Sequence, residues 1–434
     1  MVTARPRAVI LVGNPVRPYS RAIRIGRTLT AEGYDVEIAA TTEPGAPLEE
    51  RDGDLVIRRY PPIGPFASLA ATYRWESPAA RRPPLRTRIV RAIRLGPASW
   101  VLWPHTVRGW WAALAKELAP ADLYHACGTL PIAAALTARA RDRRAGRPSK
   151  VIFDVIDITL ESNNVLGMPP IVRRWLARRE RVWARAADGH TTINEALADR
   201  AVARWGLPRR PAVVPNYPEP WTPPPRLPGV PPPDRIRAVT GLPAQTTICL
   251  FWGRLGPYVG LDAAAEAVLL VPDAALVLIG FGRGWEASVA RDRDPQFVGR
   301  HFTLPAVHPD ELASWVVSAD MALCTLPPLS FNQRHAAPNK FFEAMAAGTP
   351  IVLGPDLSVM EDILRREDLG VVAASMRPAD IAAAISAVLD RSPSERGAWR
   401  ERIATTARSR YSWPIAANAY RVLLDGLRSP GSWS

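Results

Sequence analysis

The sequence is poor in the residues that build disulfide frameworks and thiolate metal sites. Its 434 residues include three cysteines, Cys127, Cys249 and Cys324, each inside an apolar run and without CxxC spacing. Such cysteines are typical of buried thiols in a reducing compartment. The sequence also lacks a run of about 18 apolar residues, and its first apolar run, AVILV, is too short for the core of a signal peptide. We therefore expect a cytoplasmic protein, attached at most to the inner face of the membrane.

Lysine is almost absent. All but three of the 55 basic residues are arginine, and against 41 acidic residues they give a net charge of +14. This excess favours anionic partners, of which a nucleotide diphosphate, an anionic membrane surface and nucleic acid are the candidates. The arginines are spread along the chain, without a basic tail or a nucleic-acid-binding motif, so we predict no nucleic-acid partner.

Apolar runs alternate with helical patterns in both halves of the chain, which is typical of parallel sheets covered by helices. A dense cluster of prolines at 218–233 is incompatible with a sheet interior. We therefore predict an α/β fold with two doubly wound, Rossmann-like domains, 1–215 and 237–410. A proline-rich linker, 216–236, would join them, and a C-terminal helical segment, 411–434, would follow. Two such sheets would face each other across a cleft at their carboxyl ends, where these folds bind ligands.

Residues 338–354, PNKFFEAMAAGTPIVLG, combine a predicted helix and strand with an unusual charge pattern. Pro338 and Asn339 are typical of a helix start. Lys340 then opposes the helix dipole by roughly 0.3–1 kcal/mol, unless an anion such as a phosphate lies at the helix N-terminus. Glu343, one turn later among apolar residues, suits a pair of sugar hydroxyls. The alternative is a salt bridge between Lys340 and Glu343 beside a packed helix.

The chain resembles GT-B fold glycosyltransferases of family 4, also called group 1, over most of its length. The motifs that carry the resemblance are GNPVRPYSRAIRIGRTLTAEGYDVEIAA, ADLYHACG, ADGHTTIN, VVPNYPE, FWGRLGPYVGLDAAAEA, SADMAL, PNKFFEAMAAGTPIV and the YSW before the final helix. The resemblance implies a nucleotide-diphosphate sugar donor bound mainly by the C-terminal domain and a hydroxyl acceptor bound mainly by the N-terminal domain. It also implies retention of anomeric configuration, no bound metal or other cofactor, and a final helix that crosses back to the N-terminal domain.

The same resemblance assigns donor contacts to individual residues. Arg254 should bind the diphosphate, and Glu343 should hold the ribose through its 2′ and 3′ hydroxyls, which agrees with the bonding of a guanidinium and a carboxylate. Gly13 would let the backbone approach the sugar-phosphate. Gly282 either lines the base pocket or belongs to an ordinary tight turn.

Three positions depart from the family pattern. Val259 stands where a second phosphate-binding lysine is usual, and His335 where the first of two glutamates is usual. We expect Lys340 at the helix N-terminus to replace the lost cation, with Arg334 as a further candidate. His335 and Asn339 complete the predicted donor-binding set.

The third departure concerns catalysis. Ile156 stands where many members have a histidine near the reacting carbon. Asp157 and His125 are the predicted substitutes, although His125 is equally explained as a core histidine and Asp157 as a helix cap. A degenerate GT-B protein that binds nucleotide or a partner without turnover is the alternative function.

Two Asp-x-Asp strings, Asp52 to Asp54 and Asp292 to Asp294, resemble metal ligands. Both lie in turn-like sequence, so solvated turns explain them and we predict no metal.

Between residues 81 and 118, arginines and tryptophans are mixed in a way that suits the headgroup zone of an anionic bilayer. The alternative is that the tryptophans fill the core and the acceptor pocket of the first domain. The residues concerned are Arg82, Arg86, Arg88, Arg91, Arg94, Arg108, Trp100, Trp103, Trp110 and Trp111.

Overall fold

The structure is a computed structural model that describes residues 5–16, 20–43, 45–63, 98–165, 167–221, 234–256 and 258–428, with backbone alone for 98–106 and 164. These residues form two compact units. Unit 1 holds those up to Pro215 and those from Ala417 onward, and unit 2 holds Asn216–Ala416. The boundary coincides with the predicted end of the first domain, whereas most of the predicted linker, 222–233, lies outside the described residues.

The sheet of unit 1 has eight strands in the order β3-β4-β2-β1-β5-β6-β7-β8, all parallel except β3, which pairs antiparallel with β4. Its central strands are buried along almost their whole length, which explains their continuous apolar sequences. The strands are β1 Arg7–Val12, β2 Asp35–Thr41, β3 Glu49–Asp52, β4 Leu55–Tyr60, β5 Leu123–Cys127, β6 Lys150–Val155, β7 Gly189–Thr192 and β8 Ala212–Val213.

Helices connect these strands, as the alternation of apolar and helical patterns predicts. Two 3-10 turns, Thr159–Glu161 and Asn163–Val165, follow β6. The helices are α1 Ser20–Ala31, α2 Ala98–Glu117, α3 Thr129–Arg144, α4 Pro170–Ala186 and α5 Glu195–Trp205.

The sheet of unit 2 has six parallel strands in the order β11-β10-β9-β12-β13-β14. The strands are β9 Thr247–Arg254, β10 Ala274–Phe281, β11 His301–Pro305, β12 Met321–Cys324, β13 Ile351–Leu353 and β14 Gly370–Val372. The helices are α6 Arg235–Thr240, α7 Leu261–Leu269, α8 Trp285–Arg291, α9 Pro309–Val316, α10 Phe331–Arg334, α11 Asn339–Ala346, α12 Ser358–Glu367, α13 Pro378–Leu389 and α14 Pro393–Arg410.

The last helix, α15, spans Trp413–Arg428, and from Ala417 onward it belongs to unit 1. There the Tyr420 hydroxyl lies 3.1 Å from Nδ1 of His125, and the Arg421 guanidinium donates to Glu32 over 2.9 Å. From Ala417 to Arg428, α15 is therefore packed in the unit that contains β1.

Each sheet has one point at which the direction of strand addition reverses. In unit 1 this point lies between β1 and β5, and in unit 2 between β9 and β12. Open α/β sheets bind ligands outside the carboxyl ends of their strands at such points. The predicted α/β fold with two doubly wound parallel sheets is confirmed, while the predicted facing of the sheets across a cleft stays a prediction. Among the described residues, no helix combines the length and the apolar character needed to span a membrane.

Candidate functional site

Helix α11 carries three of the predicted donor-binding residues, Asn339, Lys340 and Glu343, to the switch point of unit 2. It begins at Asn339, as predicted, with Pro338 as its N-cap and no side-chain hydrogen bond to the first turn. It ends before Gly348, whose φ of 64° is a backbone conformation that glycine adopts readily. The predicted helix and strand of this segment are confirmed. The first turn carries no acidic residue and no side-chain cap, and the positive end of a helix dipole favours an anion there.

Lys340 reaches from α11 to the carboxyl end of β9. Its ammonium lies 3.6 Å from the centroid of the Phe251 ring. A Cβ atom at Gly253 would lie 3.9 Å from the same nitrogen. Desolvation lowers the pKa of Lys340 to about 8, although Cys324 and Glu343 favour the charged form. The side chain keeps some exposure to solvent. A phosphate beside it would stabilise the ammonium.

The Glu343 carboxylate on α11 is held by Trp252, a buried residue of β9. Trp252 Nε1 donates a hydrogen bond to Oε2 of Glu343 over 2.7 Å. The carboxylate is partly exposed, and each carboxylate oxygen accepts more than one hydrogen bond, so capacity remains for hydroxyl donors. Trp252 was missed by sequence reasoning. The signal for it was a tryptophan in an otherwise apolar strand, since a buried indole N–H needs an acceptor.

Two glycine-containing loops meet at the carboxyl ends of β9 and β10. The Leu255 N–H donates to the Phe281 carbonyl over 2.7 Å. A Cβ at Gly280 would collide with the Gly253 carbonyl, and one at Gly282, where φ is 114°, would lie 2.9 Å from the Leu255 carbonyl. The close approach of the two loops explains these glycines as a tight turn. A contact of Gly282 with the base stays a prediction.

Arg254 ends β9 and is exposed. A Cβ at Gly282 would lie 3.3 Å from Cγ of Arg254. Arg254 starts from the same end of β9 that the Lys340 side chain reaches from α11, which puts two cations within reach of one ligand. Val259, in place of the usual lysine, lies in the loop that follows.

His335 and Asn339 flank the start of α11. The His335 ring stacks on Phe331 with 4.2 Å between centroids, and its Nδ1 lies 3.0 Å from the Phe331 carbonyl. Nearby, Gln333 Nε2 donates to the Tyr258 carbonyl over 3.0 Å, which ties the loop after β9 to α10. Both His335 and Asn339 are partly exposed. Their donor contacts stay predictions.

Gly13 follows β1 at the switch point of unit 1. A Cβ at this position would collide with the Leu130 side chain at the start of α3. Close helix packing therefore explains the glycine, and its approach to a sugar-phosphate stays a prediction.

His125 is a core residue. Its imidazole is 0% exposed, with the Tyr420 hydroxyl at Nδ1 and Asp154 3.6 Å from Nε2. Arg21 donates to both Asp154 oxygens over 2.7 Å each. Burial opposes ionisation of Asp154, but the guanidinium outweighs it and holds the pKa of Asp154 well below its usual range. Enclosure within this network favours the alternative, a core histidine, and the catalytic role of His125 stays a prediction.

Within the described residues, one group has the composition of a metal site, His125, Cys127 and Asp154, whose ligand atoms lie within 4.8 Å of one another. The Arg21 guanidinium already holds both Asp154 oxygens. A metal ion there would face a buried positive charge, so the group does not suit a cation.

Asp157 lies just beyond the carboxyl end of β6 and is exposed. Desolvation by the surrounding protein raises the pKa of Asp157 to about 6, and the exposure argues for a smaller rise. The 3-10 turn that follows has Ile158 as its N-cap and no side-chain cap hydrogen bond, so helix capping does not explain Asp157. Ile156 beside it is partly exposed and offers no polar group. The catalytic role of Asp157 stays a prediction.

The tryptophans at the end of the basic segment have structural roles. Trp110 is buried, and Trp111 Nε1 donates to the Leu130 carbonyl over 2.7 Å. Filling of the core therefore explains Trp110, and Trp111 is partly buried against α3. Arg82, Arg86, Arg88, Arg91 and Arg94, and the side chains of Trp100 and Trp103, lie outside the described residues, while Arg108 is exposed.

The first aspartate of one Asp-x-Asp string has a structural role beyond a solvated turn. Asp292 accepts hydrogen bonds from the backbone and hydroxyl of Thr303 and lies 2.6 Å from His301 Nδ1, which ties it to β11. Asp52, in contrast, ends β3 before a turn at Gly53.

Comparison with known proteins supports the family resemblance in unit 2 and the fold along the whole chain. The profile of the family "Glycosyl transferases group 1" matches residues 246–391. No curated protein sequence matches the chain. Among solved structures, sucrose-phosphate synthase from Thermosynechococcus elongatus aligns with a TM-score of 0.67 at 15% identity, over 98% of this chain and 99% of that one.

Two further structures contain nucleotide ligands. Anabaena HepE in complex with UDP and glucose aligns with a TM-score of 0.62 at 14% identity, over 97% of this chain and 100% of that one. The structure described as "Trehalose-6-phosphate from E. coli bound with UDP-2-fluoro glucose" aligns with a TM-score of 0.58 at 14% identity, over 98% of this chain and 99% of that one. At these identities the likeness shows the fold alone. The GT-B fold and the group 1 resemblance inferred from the motifs are confirmed.

Proposed function

We propose that the chain is a glycosyltransferase that moves a sugar from a nucleotide-diphosphate donor to a hydroxyl acceptor, and that unit 2 binds the donor. The observation that carries this proposal is the position of Lys340 and Glu343 at the switch point of the unit 2 sheet. The group 1 profile covers this segment, and the HepE structure contains UDP and glucose. Both support a nucleotide-sugar donor.

The donor site divides into an anion end and a hydroxyl end. The N–H groups of the first turn of α11, the Lys340 ammonium and the Arg254 guanidinium would bind the diphosphate. Glu343, oriented by Trp252, would accept both ribose hydroxyls. Desolvation lowers the pKa of Lys340, and a bound phosphate would raise it again. Donor binding would therefore favour the protonated lysine.

Transfer would proceed with retention and without a metal, through charge stabilisation and positioning. In such a reaction the departing phosphate oxygen accepts the proton of the incoming hydroxyl, so no strong base is required. Lys340 and Arg254 would stabilise the negative charge that develops on the diphosphate. Asp157, exposed in unit 1, is the residue that we assign to orienting the acceptor hydroxyl.

The second candidate function is nucleotide binding without turnover. Two features of unit 1 favour it: His125 is sealed in the core, and the usual histidine position is Ile156.

Donor hydrolysis separates the two functions. The full chain would be incubated with UDP-, GDP- and dTDP-sugars, and both nucleotide binding and release of nucleotide diphosphate would be measured. We expect slow release that Glu343→Ala abolishes and that Glu311→Ala, an exposed carboxylate on α9, leaves unchanged. Binding without release would favour the second function, and no binding of any nucleotide would overturn both.

A further inference from the structure

Helix α4 of unit 1 has one face packed on the protein and one face in solvent. Its inner face buries Leu176, Glu180 and Ala184, and Leu176 packs in a cluster with Leu160, Val165 and Met168. Directly opposite, four residues recur at helical spacing. These are Ile171, Trp175, Arg178 and Val182, of which Trp175 is only partly exposed and also packs against the cluster around Leu176.

The outer face exposes two large apolar side chains on one helix. Ile171 is 77% exposed and Val182 is 59% exposed. The surface between them is a shallow depression lined by Ile171, Arg174, Trp175, Arg178, Arg179 and Val182. Exposed apolar side chains on one helix face with a basic rim are typical of an interaction surface.

The charge of this face has a single sign. The helix carries six arginines, and its one acidic residue, Glu180, is buried on the inner face. Among the described residues, Arg174, Arg178 and Arg179 form no ion pair. The neighbouring helix α5 differs, because its Arg200 pairs with Glu161 over 2.7 Å. The positive charge of the α4 outer face is thus not compensated by the surrounding described residues.

We propose that the outer face of α4 docks the protein on an anionic lipid bilayer. A helix lying in the bilayer interface places apolar side chains below the headgroups and basic ones among the phosphates. The arrangement of Ile171, Trp175 and Val182 between arginines matches that geometry. A second copy of the chain would bring arginines against arginines, and a nucleic acid would leave the apolar residues without a partner.

The proposal does not depend on the transferase activity. It assigns membrane contact to a segment other than residues 81–118, where Trp110 and Trp111 have structural roles. The sequence signal is the composition of residues 170–186, in which arginines, tryptophans and branched aliphatic residues alternate at helical spacing.

Vesicle sedimentation of the full chain tests the proposal directly. The vesicles would contain phosphatidylcholine alone or phosphatidylcholine mixed with phosphatidylglycerol. We expect the protein to sediment with the anionic vesicles and not with the neutral ones, and the bound fraction to fall as salt is added.

Two variants of the helix separate its charge from its apolar contribution. Arg174→Glu, Arg178→Glu and Arg179→Glu together should lower the affinity for anionic vesicles at least about tenfold, since each arginine near the surface contributes to binding. The matched control carries Arg51→Glu, Arg144→Glu and Arg293→Glu, which change the net charge equally at exposed positions elsewhere. Ile171→Ser with Val182→Ser should also weaken binding without a change in charge, whereas Val422→Ser, at a side chain 73% exposed on α15, should not.

The outcomes are decisive in both directions. Loss of binding in the α4 variants, with unchanged thermal unfolding and with binding kept in the controls, supports the proposal. Equal loss in the charge-matched control would mean attraction by net charge alone and would overturn it. Absence of binding to anionic vesicles, full binding by both α4 variants, or a dimer in light scattering that Ile171→Ser dissociates would overturn it as well. If the triple variant fails to fold, the serine pair decides the question.

Discussion

The switch points of the two sheets use similar residues in opposite ways. In unit 1, Arg21 and Asp154 neutralise each other in the core, and α15 covers His125. In unit 2, Lys340 rests on an aromatic ring and Glu343 accepts an indole N–H. Charges that satisfy each other out of solvent hold a fold together, whereas partly exposed charges held by aromatic residues are arranged for a ligand. The comparison predicts that substitutions in unit 1 change stability and those in unit 2 change binding.

The largest effect is expected from Arg21→Ala. Without its guanidinium, the Asp154 charge stays buried with no cation, and we expect a loss of about 3–5 kcal/mol in the free energy of unfolding. Urea unfolding followed by circular dichroism measures it. Because the same change raises the pKa of Asp154, the variant should regain part of its stability as the pH falls and the carboxylate is protonated.

The control for this variant is Arg402→Ala. Arg402 pairs with Asp368 on the surface of unit 2, where both side chains are about half exposed. A loss of roughly 1 kcal/mol or less is expected there. If Arg21→Ala lowered the free energy of unfolding no more than Arg402→Ala does, the contrast between the switch points of the two sheets would be wrong.

The second largest effect is expected from Lys340→Met, measured as the affinity for UDP and GDP by calorimetry. Loss of a charge-assisted contact to phosphate should weaken binding about tenfold to a hundredfold. Stability should not fall, because the substitution removes a partly desolvated charge. Lys116→Met, at an exposed lysine of unit 1, is the matched control, and unchanged affinity in Lys340→Met would remove the basis of the proposed donor site.

The sequence predicts unit 2 better than unit 1 because the unit 2 site is largely local. Lys340 and Glu343 lie one turn apart on one helix, so the capping pattern and helical spacing suffice to place them together. Trp252 was missed because it precedes them by about ninety positions and only strand order brings it near.

His125 could not be judged from its neighbours in the sequence. Its surroundings in LYHAC suit a catalytic and a core histidine equally. The deciding partners are Asp154, in the adjacent strand, and Tyr420, 295 positions away in the last helix. A local sequence pattern does not indicate whether a distant segment of the chain will bury a residue. The α4 surface is the converse case, since its pattern was visible in the sequence but its exposure was not.

A smaller effect is expected from pH on nucleotide binding. The protonated form of Lys340 binds phosphate, and the pKa of Lys340 in the unliganded protein is about 8. Affinity for UDP should therefore be nearly constant below pH 7 and fall above pH 8, by about tenfold for each further unit at most. Lys340→Arg should flatten the profile, since a guanidinium stays charged in this range. A profile identical in the two proteins would show that another group titrates.

The smallest effect is expected from Tyr420→Phe, which removes the hydroxyl next to Nδ1 of His125 inside unit 1. Loss of one buried hydrogen bond should cost about 0.5–1.5 kcal/mol of stability. Tyr420→Phe and His125→Phe should act on the same contact, so their costs in unfolding should not add. UDP affinity and donor hydrolysis should stay unchanged in Tyr420→Phe under conditions where the protein is folded. A large loss of hydrolysis without a loss of stability would mean that the His125 imidazole takes part in the reaction. The distinction between a structural switch point in unit 1 and a ligand-binding switch point in unit 2 would then be wrong.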